Sequence, residues 1–101
     1  MKKILLCCAA GMSTSLLVAK MRKQAEQEQY ECEIEAVPFN ISEPKIAEAD
    51  VVLLGPQVRY NLAVLQEKYP EIPSGCIDMM AYGMCNAKAV LEQARGLMKE
   101  E

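Results

Sequence analysis

ILLCCAAGMSTSLL, residues 4–17, is the stretch whose reading decides the fold. Ile4, Leu5 and Leu6 are apolar whichever way a strand turns them, as expected of a strand covered on both faces. The run ends on Cys7-Cys8 and passes through Ala9-Ala10-Gly11-Met12 into Ser13-Thr14-Ser15. Beyond it Leu17, Val18, Met21 and Ala25 fall on one helical face, with Lys20, Lys23 and Gln27 opposite. The stretch therefore predicts a buried strand over 3–7, a tight loop, and a helix from 13 to about 29.

The same alternation continues along the chain. CEIEAV, residues 32–37, alternates with glutamates and predicts an edge strand ended by Pro38. A short helix is expected over 42–48, with Ser42 as its cap and a proline near its start. DVVLL, residues 50–54, predicts a second fully buried strand stopped by Gly55-Pro56. Val58, Leu62, Leu65 and Tyr69 mark a third helix, ended by Pro70, and residues 75–77 a fourth short strand. Met84, Ala87, Val90, Leu91, Ala94, Leu97 and Met98 trace one long C-terminal amphipathic helix. Four strands alternating with helices give an α/β fold, a four-stranded parallel sheet between helix layers. Ligands in such folds bind beyond the carboxyl ends of the strands, which places the opening loop at the functional edge.

Composition narrows the chemistry. The 101 residues are read as a single domain, 1–101, large enough for a real core. A net charge of −3 leaves no basic surface for nucleic acid. There is no histidine, which removes imidazole from any nucleophilic, metal-ligating or phosphocarrier role. Cys7, Cys8, Cys32, Cys76 and Cys85 are an odd set without a Cys-x-x-Cys pair, so reduced thiols are expected rather than a disulfide framework or a zinc site. Met1-Lys2-Lys3 before apolar residues imitates an export signal. The apolar run that follows is too short for one and lacks small residues before Cys7. No segment approaches the roughly 20 apolar residues that span a bilayer.

The loop after the first strand carries the chemistry. Its backbone amides and those of the following helix start have no intrahelical partners and form a cradle for an anion. Gly11 permits the turn, and Ser13, Thr14 and Ser15 can cap the helix and donate to phosphate oxygens. A thiol at its mouth is expected to titrate below about 8.5. Thiolate beside an anion cradle is the equipment for phosphoryl transfer through a phosphocysteine. Cys7 continues the buried run, whereas Cys8 is expected to be the first residue off the strand, so the chemistry is assigned to Cys8.

Residues 8–15, CAAGMSTS, resemble the active loop of the bacterial phosphotransferase system enzyme IIB of the lactose/cellobiose (N,N′-diacetylchitobiose) family. Gly55-Pro56-Gln57-Val58 and Asp78 with Tyr82-Gly83 are similar to further pieces of that family, and the likeness runs nearly end to end. The resemblance implies a flavodoxin- or Rossmann-like three-layer sandwich. It implies that Cys8 accepts phosphate from a phosphohistidine on enzyme IIA and passes it to a sugar bound by the membrane permease, enzyme IIC. The implied sugar is a β-linked disaccharide such as cellobiose, chitobiose or lactose. Ala9, Ala10, Gly11, Met12, Ser13, Thr14 and Ser15 would bind the phosphate. Gln57, Tyr60, Asp78 and Tyr82 are rim or docking candidates, although either tyrosine could equally be packing. No metal, cofactor, nucleotide or nucleic acid is implied. The protein would be cytoplasmic and peripherally associated with the permease.

The nearest competing reading is a small thiol phosphatase or arsenate reductase with the same strand, loop and cysteine. Those enzymes place arginine six residues after the cysteine to clamp phosphate, where this chain has Thr14. A receiver-type binding module would need an acidic cluster for Mg²⁺ at the strand ends, which the sequence lacks. Redox use of the vicinal pair Cys7-Cys8 would be strained. Met21 is expected in the core, and Met12 is the better candidate for an exposed docking contact.

Overall fold

The computed structural model describes residues 1–9 and 15–99. Four parallel strands form one sheet: β1 (Lys2–Cys8), β2 (Cys32–Pro38), β3 (Val51–Leu54) and β4 (Ser74–Cys76). Their order in space is β2-β1-β3-β4, so β1 is central and β2 is an edge. Ile4 lies opposite Ile34 on one side and Val51 on the other, and Cys7 lies opposite Leu54. The α/β expectation holds, with helices α1 (Ser15–Gln27), α2 (Pro44–Glu48), α3 (Leu62–Lys68), α4 (Met79–Gly83) and α5 (Ala87–Leu97) between and after the strands.

Strand alternation divides the core in two. Ile4, Leu6, Val51 and Leu53 face Leu17, Val18 and Met21 of α1 and Val90, Leu91 and Ala94 of α5. Leu5, Cys7, Val52 and Leu54 face the other way, against Ile46 of α2, Leu65 of α3 and Val58. All four residues of β3 are completely buried, which explains why its sequence is an unbroken apolar run. On β2 the exposed Glu33 and Glu35 alternate with inward residues, and Lys45 of α2 pairs with Glu35.

The structure corrects several boundaries for local reasons. Helix α1 ends at Gln27 because Gln29 turns left-handed at φ 55°. The amide of Tyr30 then closes on the Ala25 carbonyl at 2.9 Å and that of Gln29 on Glu26 at 3.1 Å. Ser42 is not the cap of α2: Glu43 occupies that position, and no side chain makes a capping bond there. The third helix is split. A 3₁₀ segment, Pro56–Asn61, precedes α3, with a kink at Val58 (φ −120°, ψ 19°), yet Val58 and Leu65 still share a buried face.

The C-terminal helix expected from Met84 begins only at Ala87, and a separate short helix, α4, precedes it. Cys85 takes φ 51°, and the Asn86 amide bonds back to Ala81 at 2.8 Å, ending α4. Asn86 then caps α5 through its side chain, which accepts from the Ala89 amide at 3.2 Å. Met84, expected on the core face, is consequently 71 % exposed. Gln93 Nε2 fastens α5 to the end of β4 through the Cys76 carbonyl at 2.7 Å.

Candidate active site at the carboxyl end of β1

The winding of the sheet reverses at β1: the chain crosses first to β2 and then to β3 on the opposite side. A crevice forms where successive connections leave in opposite directions, beyond the carboxyl ends of β1 and β3. Cys8 ends β1, and Gly55 follows β3. The Gly55 amide donates to the Cys7 carbonyl at 2.8 Å, and the Phe39 amide to the Cys8 carbonyl at 2.8 Å. The backbone around the thiol is therefore fixed from both neighbouring strands.

Cys8 belongs to the strand rather than standing first beyond it, and it is only 2 % exposed. Cys7, fully buried, points to the α2/α3 side, as expected for a core residue. By alternation Cys8 points to the α1/α5 side. The expected low thiol pKa is not what the described residues produce. Burial pushes the Cys8 thiol above its ordinary value, while a neighbouring Tyr82 hydroxyl and the Gly55 backbone work in the opposite direction. Cys7 is pushed up to about 12, first by burial, then by the adjacent Cys8 and by Glu43.

Two of the expected rim residues, Tyr82 and Gln57, gather near the thiol from two elements. Tyr82, on α4, sits half-buried with its hydroxyl beside Cys8 and Gln57. That hydroxyl is itself shut off from water yet completes no well-formed hydrogen bond among the described residues. Desolvation, the nearby Cys8 and the loose contact with it hold the Tyr82 phenol up at about 12, so it stays protonated. Gln57 lies across from Gly55: a Cβ built on Gly55 would stand 2.8 Å from Gln57 Oε1 and 3.0 Å from Cys8 Sγ. Asp78 does not face the thiol directly. Its Oδ2 caps α4, accepting from the Met80 and Ala81 amides at 3.1 Å each, and so anchors the turn that carries Tyr82.

Tyr60, 77 % exposed, is surface rather than packing. Ala9 is half-buried and Ser15 exposed at the start of α1, bracketing the loop. Ala10, Gly11, Met12, Ser13 and Thr14 lie outside the described residues.

Two features escaped the sequence reading. Gly55 is the point of closest backbone approach to the thiol, which only the β1–β3 pairing reveals. The second is an apolar groove lined by Pro56, Gln57, Met79, Tyr82 and Gly83, and on or next to the same helix Met79, Met80 and Met84 are exposed. The Met79-Met80 pair just after Asp78 could have signalled it. A tighter cavity of about 110 Å³ opens at the opposite end of the sheet, among Lys3, Glu33, Glu35, Lys45 and Glu48. Its charges largely satisfy one another, through Lys45 with Glu35 and Lys3 with Glu48 at 3.9 Å, and no thiol reaches it. Among the described residues no group of three cysteine or carboxylate side chains is placed to hold a metal ion, and no helix is long and apolar enough to cross a membrane.

Comparison with known proteins agrees with this geometry. The oligo-beta-mannoside-specific EIIB component of a PTS system from Bacillus subtilis (strain 168) is 47 % identical over 100 residues, covering 97 % of each chain. The cellobiose-specific EIIB component from Lactococcus lactis subsp. lactis (strain IL1403) is 40 % identical over 104 residues, covering 96 % of each. The solution structure of a cellobiose-specific phosphotransferase IIB component from Borrelia burgdorferi superposes with a TM-score of 0.79 at 38 % identity, over 97 % of this chain and 92 % of that one. The family model for the lactose/cellobiose-specific IIB subunit of the PTS system matches residues 3–93. A histidine-free α/β domain with a cysteine at its switch point thus belongs to the lactose/cellobiose-specific IIB family, the IIB components of sugar phosphotransferase systems.

Proposed function

We propose that Cys8 is the phosphoryl carrier of this IIB component, taking phosphate from a phosphohistidine on enzyme IIA and giving it to a sugar held by the membrane permease, enzyme IIC. The observation that carries the reading is the position of Cys8: the last residue of the central strand, at the reversal of the sheet, with a thiol that other elements approach closely. Uptake forms an S–P bond as the P–N bond of the donor breaks. The bond's electron pair stays on the imidazole nitrogen, which acquires the thiol proton. Neutral imidazole is an apt acceptor for it, because burial keeps the Cys8 thiol protonated near neutral pH.

Ala9 to Ser15 would cradle the phosphoryl oxygens through backbone amides and hydroxyls. Gln57, Asp78 and Tyr82 would form the rim, with Tyr60 in the docking surface. The exposed Met79, Met80 and Met84 beside them suit a surface that must accept two partners in turn, because methionine repacks readily against different shapes. The whole chain, residues 1–101, would work as one carrier domain in the cytoplasm, held against the membrane only through the permease and using no nucleotide. Relatives named for oligo-beta-mannoside and cellobiose support a β-linked oligosaccharide, such as cellobiose, chitobiose or lactose, as the final acceptor.

Incubation with phosphorylated enzyme IIA followed by peptide mass spectrometry tests the assignment. The mass of one phosphoryl group is expected on Cys8, abolished in Cys8→Ser and retained in Cys7→Ser. Phosphate on any other residue of the wild type would overturn it.

A further inference from the structure

We propose that the Tyr82 hydroxyl is the side-chain donor that stabilises the Cys8 sulfur as thiolate, a role whose catalytic consequence rests on the carrier reading of Cys8. The Tyr82 hydroxyl is shut off from solvent without a completed hydrogen bond, and the Cys8 thiol and the Gln57 side chain are its polar neighbours. A buried hydroxyl with no partner calls for explanation, since such groups are nearly always satisfied. A partner that becomes a strong acceptor only during turnover supplies one. Neutral thiol is a weak acceptor; thiolate is a strong one.

The support of the ring fits this task. Asp78 fixes the first turn of α4, and the Tyr82 amide bonds to the Asp78 carbonyl at 2.9 Å. The left-handed Cys85 closes the other end of the helix, so the phenol is held in one place. Ionisation of the thiol would give the phenol the strong acceptor it lacks. The phenol remains protonated across the neutral range, so it is always a donor.

Among the described residues, the other groups near this pair leave the thiolate without a cationic partner. They are Cys7 on the same strand, Glu43 near Cys7, Cys85 near Tyr82, and the backbone of Gly55. Residues 10–14 carry no charged side chain. Among the described residues no cation stands at this pair, so the side-chain donor that meets the sulfur, together with the Gly55 backbone, is what favours its ionised form.

In the release step the S–P bond breaks, its electron pair returns to Sγ, and a P–O bond forms to the sugar oxygen. The proton of the sugar hydroxyl ends on sulfur as the thiol re-forms. Tyr82 stabilises the developing charge on Sγ before that proton arrives.

The test is the pH dependence of Cys8 alkylation by iodoacetamide in the folded protein, quantified on the Cys8 peptide by mass spectrometry. In Tyr82→Phe, which keeps the ring, the midpoint is expected to rise by about one unit. Alkylation at about pH 7.5 should then fall about tenfold. Replacing Tyr82 by 3-fluorotyrosine strengthens the donor and is expected to lower the midpoint. A packing role alone would change the melting temperature and leave both midpoints where they were, and unmoved or oppositely moved midpoints overturn the proposal. Alkylation does not require phosphate. If wild type takes no phosphate from enzyme IIA, the carrier reading falls while the midpoints still decide the role of Tyr82. If phosphate uptake is intact and the midpoints do not move, the Tyr82 proposal falls alone.

Discussion

Replacing Gly55 by alanine probes how tightly the end of β3 holds the Cys8 sulfur. The new Cβ would stand 2.8 Å from Gln57 Oε1, 3.0 Å from Cys8 Sγ and 3.5 Å from Cys8 Cβ. The two neighbours differ in how they can yield. Gln57 Oε1 is the far end of a flexible side chain and swings aside at little cost. Cys8 is pinned, because its carbonyl is bonded to Phe39 and its strand is paired on both sides. Relaxed carbon contacts begin near about 3.5 Å, so roughly half an ångström must come from the sulfur or from separation of the strands.

Overpacking of this kind costs about 1–3 kcal/mol. Gly55 sits at φ −64°, ψ 155°, where alanine is unstrained, and the lost freedom of the unfolded chain offsets about 0.4–1 kcal/mol. The net expectation is a destabilisation of about 1 kcal/mol, or roughly 4–8 °C in Tm for a domain of this size. A misplacement of 1 Å can cost about a hundredfold in rate, so half of that predicts transfer slowed about tenfold. Thermal unfolding by circular dichroism and the rate of phosphate transfer from enzyme IIA measure the two effects. A variant with unchanged or raised Tm and transfer within about twofold of wild type would refute the reasoning.

Two further substitutions examine the supports around the site. Asp78→Ala removes the acceptor of two α4 amides and should cost about 1 kcal/mol in thermal unfolding; Cys8 alkylation should slow with it because Tyr82 rides on the same helix. Cys7 makes stability fall on the alkaline side. In the unfolded chain its thiol ionises near 9.0, whereas in the fold it resists to about 12, so the folded state binds the extra proton and loses ground as pH rises through that window. Urea unfolding at about pH 8 and about pH 10 should show the loss, and Cys7→Val should reduce it; an equal loss in the variant would exclude Cys7 as its source.

Much of the architecture was legible because burial writes itself into period. The unbroken run Val51–Leu54 could only be a strand covered on both faces, and Leu17, Val18, Met21 and Ala25 are the residues that α1 buries. What escaped were breaks made by single backbone conformations. Gln29 and Cys85 adopt left-handed geometry without being glycine, and nothing in their side chains announces it. The caps Asp78 and Asn86 were visible signals of the α4 and α5 starts, but the apolar spacing from Met84 onward hid the break before Ala87. At the site, the core position of Cys7 could be read from alternation alone, which set it apart from Cys8. The pKa of Cys8 could not, because the depth of its burial depends on β1 pairing through Cys8 rather than stopping at Cys7. The approach of Gly55 and Tyr82 likewise joins segments far apart in sequence.

The central place of β1 has a kinetic consequence. Its two neighbours are both reached through long excursions of chain, and the amide of Lys3 is tied to the Asp50 carboxylate 47 residues away. Parallel pairing of this kind requires large loops to close before any ladder forms, which slows folding compared with helical bundles of equal length. The crevice at the end of β1 exists only once both excursions have returned. Neither the amino-terminal strand–helix unit alone nor a chain still emerging from the ribosome before β3 can place Gly55 against the sulfur. A nascent or half-folded chain would thus expose a reactive cysteine without the surroundings that govern it. Chains competent to exchange phosphate would be those that have completed the sheet.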